Sequence, residues 1–253
     1  MSAERGILYV VGLGPGAEGD LTQNAMAALA EAQDVLGYAP YVARVTLREA
    51  QTAIPSDNRE ELARARDALA RVAQGRRVAL VSGGDPGVFG MAAAVFEAVD
   101  NGPREWRDLD ILVIPGVSAM LAAAARIGAP LGGDFCAISL SDNLKSWDRI
   151  ATRLGHAARG DFVIALYNPA SRARPTRIRD AFDVLRTALP GDRAVIFARA
   201  IGRPDERVTV TTLKEADLTL ADMATLVLIG AAGTRVVARD GAPPFVYTSR
   251  ASL

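Results

Sequence analysis

Two glycine-rich segments of the chain have the residue types that let a small ligand approach the backbone. The first, VGLGPGAEGDLT, covers 11–22, and the second, VSGGDPGVFG, covers 81–90; each begins at the end of an apolar run. Glycine has no Cβ, so both segments can lie close to a ligand. Asp85 in the second segment can bind a hydroxyl pair or a cation, and it fits equally well in a tight turn that caps the next helix. The two segments predict a ligand site and leave the role of Asp85 open.

The first glycine segment matches the dinucleotide-binding pattern G-x-G-x-x-A through Gly12, Gly14 and Ala17. A dinucleotide site also needs a helix that begins at the loop and a carboxylate at the end of the second strand. Pro15 lacks an N–H group, and the residues EGD separate the loop from its helix. The second strand is predicted to end at Gly37-Tyr38 with no acid after it. These departures disfavour a nicotinamide or flavin enzyme.

The composition excludes several kinds of chemistry. Among the 253 residues there is one cysteine, Cys136, and one histidine, His156, so neither an internal disulfide nor a Cys/His metal site can form. A Ser-His-Asp triad would have to use His156, and no G-x-S-x-G elbow accompanies it. We therefore expect no protein-bound metal and no hydrolase triad.

Charge and hydropathy predict a soluble cytoplasmic protein that binds neither nucleic acid nor a membrane. Lysine plus arginine equals aspartate plus glutamate, 29 each, so no global field attracts a polyanion. No apolar run reaches the roughly 20 residues of a membrane span, and the N-terminus shows no signal peptide. Arginine far outnumbers lysine. Codon bias is the simpler explanation, and bidentate binding of carboxylates or phosphates is the functional one.

An α/β fold must position these loops, because strand-like and helix-like segments alternate along the chain. The first half predicts a parallel sheet with helices, and the second half predicts a mixed sheet with helices. A boundary near Pro115-Gly116 gives an N-terminal α/β domain of 1–115 and a C-terminal α/β domain of 116–253. We expect the ligand cleft to lie between these two domains.

One amphipathic helix is predicted in the segment REELARARDALARVAQG, which covers 59–75. Glu60 with Arg64 and Asp67 with Arg71 are each four residues apart. Side chains at this spacing are neighbours on a helix, so both pairs are expected to form on its solvent-facing side.

Four segments occur in an order and at a spacing that resemble one enzyme family. They are VGLGPGAEGDLT, VSGGDPGVFG, IPGVSAMLAAAARIGAPL and ALYNPASRAR. Together they resemble the tetrapyrrole (corrin/porphyrin) methyltransferases that use S-adenosylmethionine, over about 6–230. LGYAPYV, ISLSDNL and YNPASRAR are similar to the branch that contracts the macrocycle in cobalamin (vitamin B12) biosynthesis. Asn168 stands where siroheme-forming relatives typically carry methionine, which disfavours that branch.

The resemblance implies the tetrapyrrole methylase fold, two α/β domains with S-adenosylmethionine held between them, and a homodimer. The GxGPG loop then serves the tetrapyrrole side of the cleft instead of a phosphate. By motif position, the implied donor-binding residues are Pro15, Gly83, Gly84, Asp85, Val88, Ser118, Ala119, Asn168, Ala200, Ile201, Thr225 and Leu226.

Methyl transfer from a sulfonium to carbon is an in-line displacement, so the protein mainly aligns donor and acceptor. For the ring-contracting branch, the resemblance also implies proton transfers, which need a positioned acid or base. Tyr38 and Asp142 are the predicted catalytic residues, because each follows a strand at the expected ligand edge. Packing of the Tyr38 ring and a helix N-cap role for Asp142 remain alternatives.

A tetrapyrrole substrate carries acetate and propionate groups, so arginines are expected around it. The predicted substrate-binding residues are Tyr41, Ser141, Arg172, Arg174 and Arg177. A packing role for Tyr41 and a solvated helix start for the three arginines are the competing interpretations.

Three other functions remain open from the sequence. The first is another methylation step in corrin or siroheme synthesis. The second is a same-fold enzyme that modifies ribosomal RNA or a translation factor, which zero net charge disfavours for a large RNA partner. The third is a non-catalytic binding module. The sequence also leaves open whether the substrate already carries cobalt.

Overall fold

The computed structural model describes residues 6–58, 60–171 and 174–251. The chain divides into two compact units, Met1–Ala119 (unit 1) and Met120–Leu253 (unit 2). Strands alternate with helices in both units, which confirms the predicted α/β class. Within the described ranges, no helix is both long enough and apolar enough to cross a membrane.

Unit 1 is built on a five-stranded sheet whose strand order is β3-β2-β4-β1-β5. Its elements are β1 (Ile7–Gly12), α1 (Gln23–Glu31), β2 (Asp34–Tyr38), α2 (Ala39–Val42), β3 (Thr52–Ser56), α3 (Glu61–Ala73), β4 (Arg77–Ser82), α4 (Met91–Asp100) and β5 (Asp110–Ile114). All four strand pairings are parallel, as predicted for the first half of the chain. The five strands therefore end at one edge, which we call the carboxyl edge of unit 1.

Both faces of this sheet are covered by helices, as a parallel sheet requires. Successive side chains of a strand point to opposite faces. Leu8 and Val10 of β1 therefore pack in a cluster with Leu69 of α3. Val11 packs on the other face with Ala25 of α1.

Two ion pairs were predicted on helix α3, and the structure confirms one of them and contradicts the other. Asp67 and Arg71 form the expected pair, with Nε of Arg71 3.0 Å from Oδ1 of Asp67. Arg64 is only 6% exposed, on the buried side of the helix with Ala65 and Leu69, so its predicted pairing with Glu60 on the solvent face is wrong. Its donors are directed at other segments of unit 1.

Unit 2 contains a second five-stranded sheet, with the order β10-β9-β11-β8-β7, and a three-stranded sheet, β12-β13-β6. The elements are α5 (Ala119–Ile127), β6 (Gly128–Ala129), β7 (Phe135–Ser139), α6 (Trp147–Arg159), β8 (Val163–Tyr167), α7 (Arg177–Ala188), β9 (Ala194–Arg199), β10 (Arg207–Thr212), β11 (Thr225–Ile229), β12 (Thr234–Arg239) and β13 (Ala242–Thr248). β7 and β8 are parallel, and the remaining pairings of the larger sheet are antiparallel, so this sheet is mixed as predicted.

The direction of the strands in the larger sheet of unit 2 fixes where its loops lie. β8 and β9 are both antiparallel to β11 and therefore run in the same direction. The ends of β7, β8 and β9 and the beginning of β11 thus share one edge, the carboxyl edge of unit 2. Phe182 of α7 and Phe197 of β9 stack in the core of this unit, with ring centroids 6.3 Å apart.

Candidate active site

At the carboxyl edge of unit 1, the loops after β1 and β4 are joined directly through their backbones. The Gly14 N–H donates to the Gly84 carbonyl at 3.2 Å, and the Gly84 N–H donates to the Gly14 carbonyl at 2.8 Å. Because the strands are parallel, their ends meet, and the predicted meeting of the two glycine loops is confirmed. Pro15 follows Gly14 directly and so lies at this junction.

The Asp85 side chain ties the loop after β4 to the loop after β5. Its Oδ1 accepts a hydrogen bond from the Gly87 N–H at 2.7 Å, and its Oδ2 accepts one from the Gly116 N–H at 3.0 Å. Helix α4 begins at Met91 after Gly90, so Asp85 does not cap it. The carboxylate is a turn-forming clamp between two loops, and each of its oxygens accepts a backbone N–H.

Close approach of backbone explains why glycine occupies two positions of this junction, and a positive φ explains a third. A Cβ on Gly12 would lie 2.7 Å from the Gly84 carbonyl oxygen, and a Cβ on Gly116 would lie 2.4 Å from the same atom. Gly84 differs, because its φ of +68° favours glycine while a Cβ there would meet nothing closer than 3.8 Å. Gly84 therefore presents an open backbone surface.

The predicted donor residues of unit 1 surround this open surface. The atoms nearest to a Cβ placed on Gly84 are the Ala119 N at 3.8 Å and the Ser118 Cα at 3.9 Å. Ser118 is buried, at 3% exposure. Val88 ends the turn that begins at Asp85, and its N–H donates to the Asp85 carbonyl at 3.2 Å. The structure thus brings these residues together from the loops after β4 and β5.

Two tyrosines lie at the same edge, after β2. Tyr38 ends β2, and its ring makes an edge-to-face contact with Tyr41, with centroids 5.6 Å apart. A Cβ on Gly83 would lie 2.7 Å from Cε1 of Tyr41, so the Tyr41 ring packs against the glycine loop. The tyrosines and the loop after β4 therefore form one contiguous group in unit 1.

The predicted donor residues of unit 2 lie along its carboxyl edge. Asn168 directly follows β8, Ala200 directly follows β9, and Thr225 begins β11. The Ala200 N–H donates to the Ala224 carbonyl at 2.9 Å, beside Thr225. The neighbouring Ile201 and Leu226 are each 4% exposed and belong to the apolar core, so their side chains face away from solvent.

The backbone at two of these positions is strained. Asn168 has a φ of 54° and Ala200 has a φ of 51°, values in the left-handed region that residues other than glycine rarely adopt. Such strain concentrates at functional sites. The Asn168 side chain donates to the Ser139 hydroxyl at 2.9 Å, which links the ends of β8 and β7. The Thr225 hydroxyl donates to Asp222 Oδ1 at 2.7 Å, so this side chain holds a turn.

Asp142, the predicted acid or base, is a counter-ion for two arginines. Its carboxylate accepts a hydrogen bond from Arg177 Nε at 3.1 Å, and its Oδ1 lies 3.3 Å from Arg174 Nη1. Burial raises the pKa of Asp142, but the hydrogen bonds and positive charge of Arg177, with the charge of Arg174, outweigh burial and lower the pKa below its ordinary value. An aspartate held ionised in this way is a poor proton donor and a weak base.

The other predicted substrate-binding residues have less distinctive surroundings. Arg172 lies outside the described residues. The Ser141 N–H donates to the Ser139 hydroxyl at 3.3 Å, which places Ser141 at the carboxyl edge of unit 2. The Arg177 guanidinium also lies over the Trp147 ring, 4.8 Å from its centroid.

Sequence reasoning missed one arginine beside the first glycine loop. Arg44 Nη2 donates to the carbonyls of Leu13 at 2.9 Å and Gly14 at 3.1 Å. The same side chain lines a cavity of about 520 Å³ within unit 1, together with Glu18 and Arg48. Arg44 follows the segment LGYAPYV, but its closeness to the first glycine loop depends on the path of the chain after α2.

Comparison with known proteins identifies the family of this chain. The family model described as Tetrapyrrole (Corrin/Porphyrin) Methylases matches residues 7–217, and the chain belongs to this family. Precorrin-3B C(17)-methyltransferase from Sinorhizobium sp is 59% identical over 245 residues, which are 97% of this chain and 96% of the relative. The probable cobalt-factor III C(17)-methyltransferase of Salmonella typhimurium is 38% identical over 93% of this chain and 96% of its own length.

A solved structure extends the likeness to three dimensions. The crystal structure of the methyltransferase CobJ superposes with a TM-score of 0.91 at 50% identity, covering 96% of this chain and 100% of the CobJ chain.

Proposed function

We propose that this protein methylates carbon 17 of precorrin-3B with a methyl group from S-adenosylmethionine, and that the macrocycle contracts in the same reaction, as a step of cobalamin biosynthesis. The observation that carries the proposal is the 59% identity, over nearly the whole of both chains, to a protein named precorrin-3B C(17)-methyltransferase. We further propose a homodimer, as the family resemblance implies, and a cytoplasmic location, as charge and hydropathy predict.

The residues of unit 1 fit a bound methyl donor. At Gly84, flanked by Ser118 and Ala119, the space that a side chain would fill is open, so a ligand can lie directly against the backbone. The Asp85 clamp fixes this loop before any ligand arrives. The proposed donor-binding residues of unit 1 are Pro15, Gly83, Gly84, Val88, Ser118 and Ala119, and we propose that Asp85 contributes by shaping the loop. For unit 2, we propose backbone contacts from Asn168, Ala200, Ile201, Thr225 and Leu226.

The bound donor would supply an activated methyl group, so the chain itself has to bind the two reactants, orient them and exclude water. Holding two reactants in line contributes roughly 7–11 kcal/mol in well-oriented intramolecular reactions. Loops that are hydrogen-bonded to one another, as Gly14 is to Gly84, suit this task because they hold their geometry without a ligand.

Ring contraction needs a proton donor or acceptor, and we assign that role to Tyr38. Its hydroxyl belongs to a side chain at the carboxyl edge of unit 1, and its ring is braced by Tyr41. Asp142 is less suited to proton transfer, because its pKa is lowered and both of its oxygens face arginines. We propose that Asp142 instead orients Arg174 and Arg177.

The acidic substrate suggests which side chains bind its rim. Carboxylates are bound best by planar guanidinium groups. We propose that Arg174 and Arg177, held by Asp142, bind acetate or propionate groups, with Tyr41 and Ser141 as further contacts. Arg44, which sequence reasoning missed, is a further candidate because it lines a cavity beside the GxGPG loop.

The experiment that tests the proposal is incubation of the purified protein with labelled S-adenosylmethionine and precorrin-3B, followed by mass and absorption measurements. We expect the gain of one methyl group together with the spectral change of a contracted ring. Donor binding without turnover would contradict the assigned substrate, and absence of donor binding would contradict the assigned chemistry.

A second candidate substrate is the cobalt-bearing macrocycle, because the Salmonella relative is named as a probable cobalt-factor III methyltransferase. Its identity of 38% is well below the 59% of the Sinorhizobium relative, so we favour the cobalt-free substrate. Parallel assays with both macrocycles, compared through kcat/KM, decide between the two.

A further inference from the structure

Arg64 is a buried cation that the proposed chemistry does not use. The residue is 6% exposed, and none of the ion pairs found within the described ranges includes it. Burial lowers the pKa of Arg64, while the charges of Glu60 and Glu61 act in the opposite direction. Burying a charge without a salt-bridge partner is costly. A methionine would fill a similar volume without that cost, so the guanidinium calls for an explanation.

Each of the three nitrogens of Arg64 donates to a different residue. Nε donates to the Ser56 hydroxyl at 2.5 Å, Nη2 donates to the Asp57 carbonyl at 2.6 Å, and Nη1 donates to the Met91 sulfur at 3.4 Å. Ser56 ends β3, Asp57 follows it, and Met91 begins α4. One planar guanidinium therefore joins two separate segments at the carboxyl edge of unit 1.

Through Ser56, Arg64 reaches the end of β2. The Ser56 hydroxyl, which accepts from Arg64, donates to the Gly37 carbonyl at 3.4 Å. Ser56 is also the register partner of Tyr38 in the pairing of β2 with β3. The position of Ser56 thus influences the strand end that carries the proposed proton donor.

Through Met91, Arg64 reaches the base of the loop Gly83–Gly90. The Met91 N–H donates to the Ser82 hydroxyl at 3.0 Å, a buried hydrogen bond between the residues immediately before and after this loop. The loop is therefore closed at its base, and Arg64 contacts the residue that closes it.

We propose that Arg64 is a positioning residue that holds two parts of the active site in a fixed relationship, the loop Gly83–Gly90 and the end of β2 with Tyr38. The inference rests on the proposed function, because it takes this loop to bind the methyl donor and Tyr38 to move a proton. Arg64 acts through Met91 and Ser56 and does not touch either reactant itself.

The test compares Arg64→Met with Asp34→Asn as a matched control. Asp34 is also a buried charged residue of unit 1, at 1% exposure, but it begins β2 at the opposite edge of the same sheet and pairs with Arg76 and Arg71. Both variants are expected to lower Tm. In ligand-free protein, only Arg64→Met is expected to speed amide hydrogen exchange in peptides covering 83–91.

Calorimetric titration with S-adenosylhomocysteine supplies the second readout. We expect Arg64→Met to weaken binding at least tenfold, Arg64→Lys to recover part of the loss, and Asp34→Asn to stay within twofold of the wild type. The contact of Arg64 with Met91 and its contact with Ser56 are tested separately by milder changes. Met91→Leu should weaken donor binding, and Ser56→Ala should lower kcat with donor binding unchanged.

The outcomes separate this inference from the proposed function. Failure of the wild type to bind S-adenosylhomocysteine contradicts the proposed function, and the exchange measurement still tests whether Arg64 orders the loop. Equal exchange and equal donor affinity in Arg64→Met and Asp34→Asn would overturn the inference, since Arg64 would then be structural only. If Arg64→Met does not fold, Arg64→Lys and Met91→Leu carry the same comparison.

Discussion

The Asp85 carboxylate and the Gly116 amide are joined by a hydrogen bond of 3.0 Å, which connects the loops after β4 and β5. The second oxygen of Asp85 accepts from Gly87 at 2.7 Å. The intuitive role of an aspartate in a loop that we propose to bind the methyl donor is to contact the ligand. Here it shapes the loop, and the open backbone of Gly84 is left to meet the ligand.

We expect Asp85→Asn to weaken both the fold and donor binding. Asparagine has one oxygen, so one of the two N–H groups loses its acceptor. Hydrogen bonds to charged groups contribute about 1.5–3 kcal/mol, so the free energy of unfolding should fall by about 2 kcal/mol. Donor affinity, measured by calorimetry, should fall about tenfold with it.

A natural control for this change is Asp134→Asn in the second Gly-Gly-Asp triplet, Gly132-Gly133-Asp134. That side chain is exposed. Asp134→Asn should change neither the free energy of unfolding nor the donor affinity. Equal behaviour of the two variants would show that the clamp does not order the donor loop.

We expect Gly84→Ala to abolish most donor binding while it destabilises the fold only modestly. The φ of +68° costs alanine about 1 kcal/mol, but no atom lies within 3.8 Å of the new methyl group. Gly241 is the matched control, because it has the same φ of +68° and open surroundings in the turn between β12 and β13. Gly84→Ala and Gly241→Ala should lower Tm similarly, and only the first should weaken donor affinity, by at least tenfold.

The placement of the glycine loops could be predicted from the sequence, because parallel strands bring their carboxyl ends to one edge. The strand signal before each loop is therefore enough to predict that the two loops meet, and the structure shows that they do so at Gly14 and Gly84. The resemblance supplies the residues near Ser118, in a segment that follows a third strand of the same sheet. The local pattern and the sheet topology thus suffice for the two glycine loops, and the resemblance adds the third segment.

Arg64 shows why other parts of the site could not be predicted. Its spacing from Glu60 identifies a helical neighbour, but it does not say that the arginine faces inwards beside Ala65 and Leu69. That orientation depends on acceptors in β3 and α4, which are distant in sequence. Asp142 is similar, since its partners Arg174 and Arg177 lie more than thirty residues away.

We expect Asp142→Asn to impair macrocycle binding more than the chemical step. Without the negative charge, Arg174 and Arg177 repel each other, and the single amide oxygen of asparagine can replace only one of the two carboxylate oxygens that they face. KM for the macrocycle should rise about tenfold, with a smaller change in kcat. Asp148→Asn, on the exposed surface of α6, should change neither KM nor kcat. A loss confined to kcat would instead support a direct catalytic role.

The pH dependence of stability gives an independent check on Asp142. Because the pKa of this carboxyl is lowered in the folded protein, its ionisation stabilises the fold above the unfolded pKa of about 4. That contribution is lost as the pH falls through the lower folded pKa. Wild type and Asp142→Asn should therefore differ in Tm at pH 7 and converge at pH values below the folded pKa. A difference that persists at the lowest pH would contradict the ion-pair account.

We expect Tyr38→Phe to separate methyl transfer from ring contraction. The phenylalanine ring can keep the edge-to-face contact with Tyr41, so the end of β2 should stay in place, but the hydroxyl that we assign to proton transfer is gone. General acid–base catalysis contributes typically 10²–10⁴-fold, and the spectral change of contraction should slow by a factor in that range. Mass measurement should still detect the added methyl group, and donor affinity should be unchanged. Tyr247→Phe, at an exposed position of β13, should leave both steps intact. If methyl transfer and contraction slow equally in Tyr38→Phe, the hydroxyl serves binding or alignment, and the proton donor has to be sought among the other polar groups at this edge.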